Sequence, residues 1–257
     1  MSPASPPPFA VISGAQVQQA LQGSEKQVVE LVEATYRVHG AGDSVNPPSY
    51  FLQIPDHPTS RIIALPASIG GHVRVHGLKW ISSFPENVAA GIPRASAVLI
   101  LNDHDTGYPF AVLESSIISA TRTAASAALA ADWLSRGRGR PARVGFIGTG
   151  LINRYVHTFL AGTGWSFDEI GLFDLSADSA AGFHGYLDRA GSPCTAVRRS
   201  LPGPATWSCS PPSRAARTCT TRAGSRTTRW CCTCRCATCR RRSSSGRRTS
   251  STTSSTA

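Results

Sequence analysis

The chain is poor in several residue types, and these shortages are unevenly distributed. It has two lysines beside 24 arginines, and only one of its eight cysteines lies before Arg198. Residues 198–257 contain no Asp or Glu but 13 of the 26 basic residues, so residues 1–197 carry a net charge of −2 although the whole chain is +11. Because the first part is almost free of cysteine, a disulfide framework is excluded there and a reducing compartment is predicted.

Long apolar runs are also missing. No stretch approaches the roughly 20 residues that a membrane helix needs. The first residues, MSPASPPPF, lack the basic and apolar regions of a signal peptide. We therefore expect a cytoplasmic protein that does not associate with membranes. The histidines and carboxylates do not show metal-ligand spacing, so no metal site is predicted.

Helical and strand patterns alternate along the first half of the chain. Apolar residues at helical spacing predict one or two helices over 17–39. Runs rich in β-branched residues predict strands at 61–66, 73–81, 97–101 and 108–113. An alanine-rich run over 115–134 contains no Gly or Pro and predicts a long helix. Together these patterns predict an α+β domain over 1–135, followed by an Arg/Gly-rich link over 135–142.

A second pattern begins after that link. A short apolar run over 144–147 leads into Gly148-Thr149-Gly150, then a helix to about 160, and a second strand over 169–173 that ends at Asp174. The order of strand, glycine turn, helix, strand and acid is typical of a dinucleotide-binding domain, in which the turn approaches a pyrophosphate at a helix N-terminus. We assign 136–197 to the start of a Rossmann-type NAD-binding domain that lacks its later strands.

The predicted cofactor is NAD, because a carboxylate at Asp174 would bind ribose hydroxyls and repel the extra phosphate of NADP. Two departures weaken the fingerprint: Asn153 replaces the third glycine, and Asp174 follows Gly148 by 26 residues, against about 20 typically. The glycines could instead form an ordinary turn, and Asp174 could be a helix N-cap. The predicted cofactor contacts here are Gly148, Thr149, Gly150, Leu151, Ile152, Asn153 and Asp174.

Several longer motifs carry a resemblance to a known family. GLKWISSFPENVAAGIPRA, LILNDHDTGYPFAVLE, SATRTAASAALAA and GFIGTGLINR resemble the ornithine cyclodeaminase/mu-crystallin family, over about residues 9–197. SVNPPSYFL, RIIALPA and KWISSFPENV look most similar to its branch of N-(2-amino-2-carboxyethyl)-L-glutamate dehydrogenases, which serve siderophore and peptide-antibiotic pathways. The resemblance implies an α/β enzyme whose first domain binds substrate and forms a homodimer, and whose second binds NAD.

The same resemblance implies roles for individual residues. Lys79 is implied as a catalytic and substrate-binding cation, and Arg122 as a cation near both the substrate carboxylate and the nicotinamide. Arg94 stands where the family often has a cofactor-side threonine. Gln53 stands in a stretch where relatives commonly have an arginine that binds a carboxylate. Without the family, Lys79 could be a strand-edge lysine and Arg122 part of a solvated helix face.

Residues 198–257 differ from the rest in composition. Their cysteines could form a zinc cluster, their arginines could bind nucleic acid, or the segment could be a disordered basic extension. No paired Cys-x-x-Cys blocks with the loop spacing of a zinc site support the first, and no aromatic platform supports the second. The interpretation we favour is a change of reading frame near codons 195–206, because the neighbouring frame turns TWSCS into DLVVF and RWCCTC into PVVLHV. We therefore expect an irregular tail and no nucleic-acid partner.

A frame change would alter the chemistry. The family resemblance implies an aspartate that accepts a proton beside the substrate nitrogen, and the neighbouring frame places it at Thr238. The predicted reaction is NAD-dependent oxidation of N-(2-amino-2-carboxyethyl)-L-glutamate to 2-oxoglutarate and 2,3-diaminopropionate. One alternative reaction is ornithine cyclodeamination. A second alternative is that the chain is an inactive remnant that only binds a ligand or dimerises. Because the base is missing, we expect negligible turnover by this chain.

Overall fold

The computed structural model describes residues 8–197, 207–210 and 230–233. A mixed seven-stranded sheet in the order β1-β7-β6-β5-β4-β2, with β3 also pairing with β4, forms the first part. All its neighbouring strands are antiparallel except β1 and β7. Its strands are β1 (Ala10–Ile12), β2 (Ser44–Val45), β3 (Tyr50–Ile54), β4 (His57–Ile69), β5 (Val75–Ser83), β6 (Ala95–Asp103) and β7 (Pro109–Glu114).

Three helices accompany this sheet: α1 (Gly14–Leu21), α2 (Glu25–Gly40) and α3 (Ser116–Ser135), with a 3₁₀ helix at Pro85–Ala90. Ser13 caps α1 in a reciprocal capping box with Gln16, as the Ser-x-x-Gln spacing favours. Helix α3 is rich in alanine, and five of these alanines pack in one core with Val156, Phe159 and Leu160. Helix α3 therefore joins the first sheet to the unit that follows.

The second unit is a parallel five-stranded sheet. Its elements are β8 (Arg143–Ile147), α4 (Leu151–Gly162), β9 (Glu169–Phe173), α5 (Ala177–Arg189), β10 (Cys194–Val197), β11 (Trp207–Ser210) and β12 (Trp230–Thr233). The strand order is β10-β9-β8-β11-β12. From β8 the chain adds β9 and β10 on one side and then β11 and β12 on the other, so the strand order reverses between β8 and β11 while all strands stay parallel. In parallel α/β sheets ligands bind outside the carboxyl ends of the strands at such a reversal. This order places the glycine turn after β8 at the reversal point.

The predicted elements of the first 197 residues are present. The long helix occupies 116–135, the two N-terminal helices lie within 14–40, and the strand predicted over 73–81 occupies Val75–Ser83. Strands β1, β2 and β3 were not predicted as strands. In the described part of the chain, no helix combines the length and apolar character needed to cross a membrane.

The expectation that the parallel sheet lacks its later strands is wrong for two segments. The backbone of β11 pairs in parallel with β8, and β12 pairs in parallel with β11. An open sheet edge offers unpaired N–H and C=O groups to a following segment whatever its side chains are, which is why composition misled the prediction. These eight residues are therefore regular rather than irregular, and the other residues of 198–257, Thr238 included, lie outside the described ranges.

Candidate functional site

The glycine turn follows β8 directly and leads into α4. Gly148 has a φ of 80°, a value that glycine adopts without strain. Its N–H donates to the carbonyl of Phe173 at 2.7 Å, which ties the ends of β8 and β9 together. Gly150 is the N-cap of α4, and a side chain added there would meet nothing within 4 Å. The space beside Gly150 at the start of α4 is therefore open, as an anion site requires.

Asp174 closes the other side of this turn. One of its carboxylate oxygens accepts hydrogen bonds from the N–H and the hydroxyl of Thr149, both at 2.6 Å. The other accepts from the N–H of Ser176 at 2.9 Å. Burial raises the pKa of Asp174, but these hydrogen bonds outweigh it and hold the pKa below its ordinary value. A permanent negative charge therefore lies beside the turn.

The N-cap alternative for Asp174 is not what the structure shows. Ser176 is the N-cap of α5, and its hydroxyl accepts from the N–H of Ser179. Asp174 instead directly follows β9, and its carboxylate accepts a hydrogen bond from the N–H of Thr149. Its position matches that of a ribose-binding acid at the end of the second strand of a dinucleotide fold.

Asn153 explains how the turn is held without a third glycine. Its side chain is 1% exposed and its amide nitrogen donates to the carbonyls of Ile147 and Gly148. A glycine could pack closely at this position but could not make these bonds. Asn153 therefore stabilises the turn through these buried hydrogen bonds, and its side chain acts on the turn rather than directly on a ligand.

Leu151 and Ile152 differ in their surroundings. The side chain of Leu151 is exposed, whereas Ile152 packs against the core that α4 shares with α3. The backbone N–H groups of these two residues lie at the start of α4, where helices commonly bind phosphate. Both residues therefore belong to the first turn of α4, and their predicted contact with the cofactor stays a prediction.

Lys79 lies on β5 and reaches the third helix. Its ammonium group donates to the hydroxyl of Ser119 on α3 at 3.1 Å. Lys79 is half-buried, so it is not a solvated strand-edge lysine. Ser119 was not singled out from the sequence, although it lies three residues before Arg122, the spacing that places two side chains on one helix face. Arg122 itself is exposed.

The turn of α3 that contacts Lys79 also adjoins the nucleotide-binding unit. Thr121 and Leu151 line one cavity of about 640 Å³ between α1, α3, α4 and α5. In addition, burial raises the pKa of Tyr155 on α4, and the negative charge of Glu114, just before α3, raises it further. The α3 turn that holds Ser119, the partner of Lys79, therefore also carries Thr121, which lines the same cavity as Leu151 at the start of α4.

Gln53 and Arg94 lie at a different place. Gln53 is exposed on β3, opposite Arg61 of β4. Arg94 is exposed just before β6, and its carbonyl accepts the N–H of Phe84 at 2.8 Å. Both residues therefore belong to the end of the first sheet that carries Ser83 and Ala95.

Comparison with known proteins agrees with this architecture. The model of the ornithine cyclodeaminase/mu-crystallin family matches residues 10–200. An N-((2S)-2-amino-2-carboxyethyl)-L-glutamate dehydrogenase of Staphylococcus aureus is 41% identical over 135 residues, which cover 51% of this chain and 40% of that protein. An ornithine cyclodeaminase of Agrobacterium fabrum is 30% identical over 155 residues, covering 59% of this chain and 42% of its own length.

A solved structure is also similar. An archaeal alanine dehydrogenase dimer with bound NAD superimposes with a TM-score of 0.69 at 25% identity, over 79% of this chain and 60% of that one. The chain thus spans less than half the length of the two curated relatives above and three-fifths of this structure.

Proposed function

Since the chain belongs to the ornithine cyclodeaminase/mu-crystallin family, we propose that it is built to oxidise an amino acid at a C–N bond with NAD. The observation that carries this proposal is the Gly148–Gly150 turn, held against Asp174 where the parallel strand order reverses. The solved alanine dehydrogenase of similar fold, which has NAD bound, supports the choice of cofactor.

The residues at the turn fit a dinucleotide. Open space above Gly150 leaves room for a pyrophosphate at the start of α4. The Asp174 carboxylate is ionised and can accept hydrogen bonds from ribose hydroxyls, while it would repel a phosphate on the same ribose. When bound, NAD would accept a hydride from the carbon of the C–N bond.

The substrate that we propose is N-(2-amino-2-carboxyethyl)-L-glutamate, as the 41% identical relative suggests. Loss of hydride from the glutamate α-carbon and of a proton from the secondary amine gives a C=N bond. Addition of water then releases 2-oxoglutarate and 2,3-diaminopropionate. Lys79 and Arg122 would bind and orient carboxylates of this substrate, since fixed cations in a cleft recognise them through charge-assisted hydrogen bonds.

Ornithine cyclodeamination is the second candidate, favoured by the match to an ornithine cyclodeaminase. It uses the same oxidation but returns the hydride within each turnover. Free NADH therefore separates the two activities, because only the dehydrogenase accumulates it. Purified chain with NAD and either substrate, followed by NADH absorbance and by product analysis, makes the distinction.

We also propose that the reading frame changes near codons 195–206 and that this chain consequently lacks the proton-accepting aspartate. The strands Trp207–Ser210 and Trp230–Thr233 fall where the neighbouring frame encodes the apolar segments LVVF and VVLH, in support of this view. We expect the 257-residue chain to bind NADH but turn over negligibly, and the chain encoded by the restored frame to be active. Normal turnover by the 257-residue chain would contradict the frame hypothesis.

The assembly that we propose is a cytoplasmic homodimer formed through the outer face of the first sheet. Tyr50, Ala64, Trp80 and Val98 form one cross-strand row on the face opposite the side chain of Lys79. Tyr50, Trp80 and Val98 are exposed at 69%, 39% and 41%. A continuous row of large apolar side chains on a sheet face is typical of a protein–protein contact.

A further inference from the structure

Gln53 stands where relatives commonly have an arginine that binds a carboxylate, so position 53 carries no positive charge. The neighbouring strand of the sheet offers a replacement in Arg61. In the antiparallel pair of β3 and β4, Gln53 lies directly opposite Arg61. Residues directly opposite each other in such a pair have neighbouring side chains on the same face. An arginine on the adjacent strand can therefore occupy nearly the same space as one at position 53.

Arg61 also shares a face with Lys79. Arg61 pairs with Ser83 of β5, and Leu65 pairs with Lys79, with no bulge between them. Because side chains alternate along a strand, Arg61 and Leu65 lie on one face, as do Ser83 and Lys79. That face is the one on which Lys79 meets Ser119 of α3. Arg61 is half-buried, and its Nε atom is fully buried.

The two cations are separated by an apolar surface of defined length. The Cα atoms of Arg61 and Lys79 are separated by four residues along β5 and by one strand spacing across the sheet. Strand geometry converts this separation into about 14 Å. Between them lie Ile63 and Ile81, which pair across β4 and β5, and Ile63 is buried. A cation at each end of an apolar strip is complementary to a chain of carbon atoms with a carboxylate at each end.

We propose that Arg61 is a specificity-determining residue that binds the substrate carboxylate farthest from Lys79. The inference rests on the proposed function and deepens it: this face would select an amino acid with several carboxylates over one with a single carboxylate. Arginine suits the task because its planar guanidinium binds a carboxylate through two parallel hydrogen bonds.

The test is equilibrium binding by calorimetry to the NADH-loaded 257-residue chain. The ligands are N-(2-amino-2-carboxyethyl)-L-glutamate, with three carboxylates, and L-2,3-diaminopropionate, with one. We expect Arg61→Gln to raise the Kd of the tricarboxylate about tenfold, a loss of about 1.4 kcal/mol, with little change for diaminopropionate or NADH. Arg61→Lys should retain part of the affinity, because the charge remains but the paired geometry is lost.

Moving the charge across the strand pair separates ligand binding from a structural role. The double variant Gln53→Arg/Arg61→Gln should recover most of the tricarboxylate affinity, since the guanidinium returns to the same face. Arg37→Gln is the matched control, because Arg37 is exposed on α2 and pairs only locally with Glu33 in the described structure. Thermal midpoints of all variants are measured alongside.

The outcomes are distinct. Equal weakening of both ligands by Arg61→Gln, or no recovery in the double variant with unchanged thermal midpoints, would overturn the role of Arg61 and leave the proposed function intact. If the wild-type chain binds NADH but not the tricarboxylate, the proposed substrate and the role of Arg61 are both wrong. If it binds neither ligand, the dinucleotide proposal fails as well.

Discussion

Asp174 is the residue on which the dinucleotide proposal depends most directly. Replacing it with Asn removes the charge while keeping one acceptor for Thr149, so we expect NADH affinity to fall about tenfold, or about 1.4 kcal/mol. Discrimination against NADPH should fall too, since the repulsive charge is gone. Fluorescence titration with both nucleotides measures these effects. Asp178→Asn in the first turn of α5 is the control, and equal effects of both substitutions would count against a ribose role.

Substitution of Asn153 tests whether its hydrogen bonds stabilise the glycine turn. Asn153→Ala leaves the carbonyls of Ile147 and Gly148 without these two hydrogen bonds, and an unsatisfied buried group costs about 1–3 kcal/mol. We expect a lower urea midpoint together with weaker NADH binding. Asn153→Gly should behave similarly, although it restores the residue of the usual fingerprint. Unchanged stability in both variants would show that the turn is stable without the hydrogen bonds of Asn153.

His157 gives a pH dependence with a defined sign. It is buried, its ring nitrogen lies 3.0 Å from the hydroxyl of Tyr186, and burial holds its pKa below the ordinary value of 6.5. Between the folded pKa and 6.5, His157 of the unfolded chain therefore binds a proton that the folded chain does not. The stabilisation is full above pH 6.5 and is lost as the pH falls from there towards the folded pKa.

The measurement is urea unfolding at pH 7.5 and at about pH 5.5. We expect His157→Gln to reduce the difference in free energy of unfolding between the two values. His184→Gln serves as control, because His184 is only partly buried on α5 and pairs with Asp188. A wild-type chain equally stable at both pH values would show that His157 is not held neutral.

At the scale of elements, the core that α3 shares with α4 joins the first sheet to the second unit. Ala124 is fully buried in that core. Ala124→Leu inserts extra volume, which typically costs about 1–3 kcal/mol, and it pushes α4 away from the turn that carries Ser119. We expect a lower thermal midpoint and weaker NADH binding. Ala130→Leu, at a half-exposed position of the same helix, should change both far less.

The elements also show what sequence alone could predict. Gly148, Gly150 and Asp174 were predicted because a local pattern of strand, turn and acid specifies their geometry. Helix α3 was predicted because alanine has a strong helix propensity. The parallel pairing of β1 with β7 was not, since Ala10 and Ala111 are far apart in sequence. Arg61 was missed for the same reason: its position beside Gln53 and Ser83 depends on register, which spacing along the chain does not contain.

At the scale of the whole molecule, the row of Tyr50, Trp80 and Val98 predicts the oligomeric state. Trp80→Glu places a charge in the middle of this row, and burying an unpaired charge in an interface is strongly unfavourable. We expect the variant to elute as a monomer in size-exclusion chromatography with light scattering, while the wild-type chain elutes as a dimer. Arg37→Glu on α2 is a surface control, and a monomeric wild-type chain would contradict the proposed interface.

The surface between α3 and α4 has a consequence for motion. Alanine has no side-chain rotamers, so the alanines that α3 contributes to the core shared with α4 form a smooth surface rather than interlocking knobs. Packed helices that lack interlocking side chains can slide by small amounts without repacking, which is the basis of shear motion. A small shift of α4 along α3 would then move the glycine turn relative to Lys79, which is bonded to Ser119 of α3.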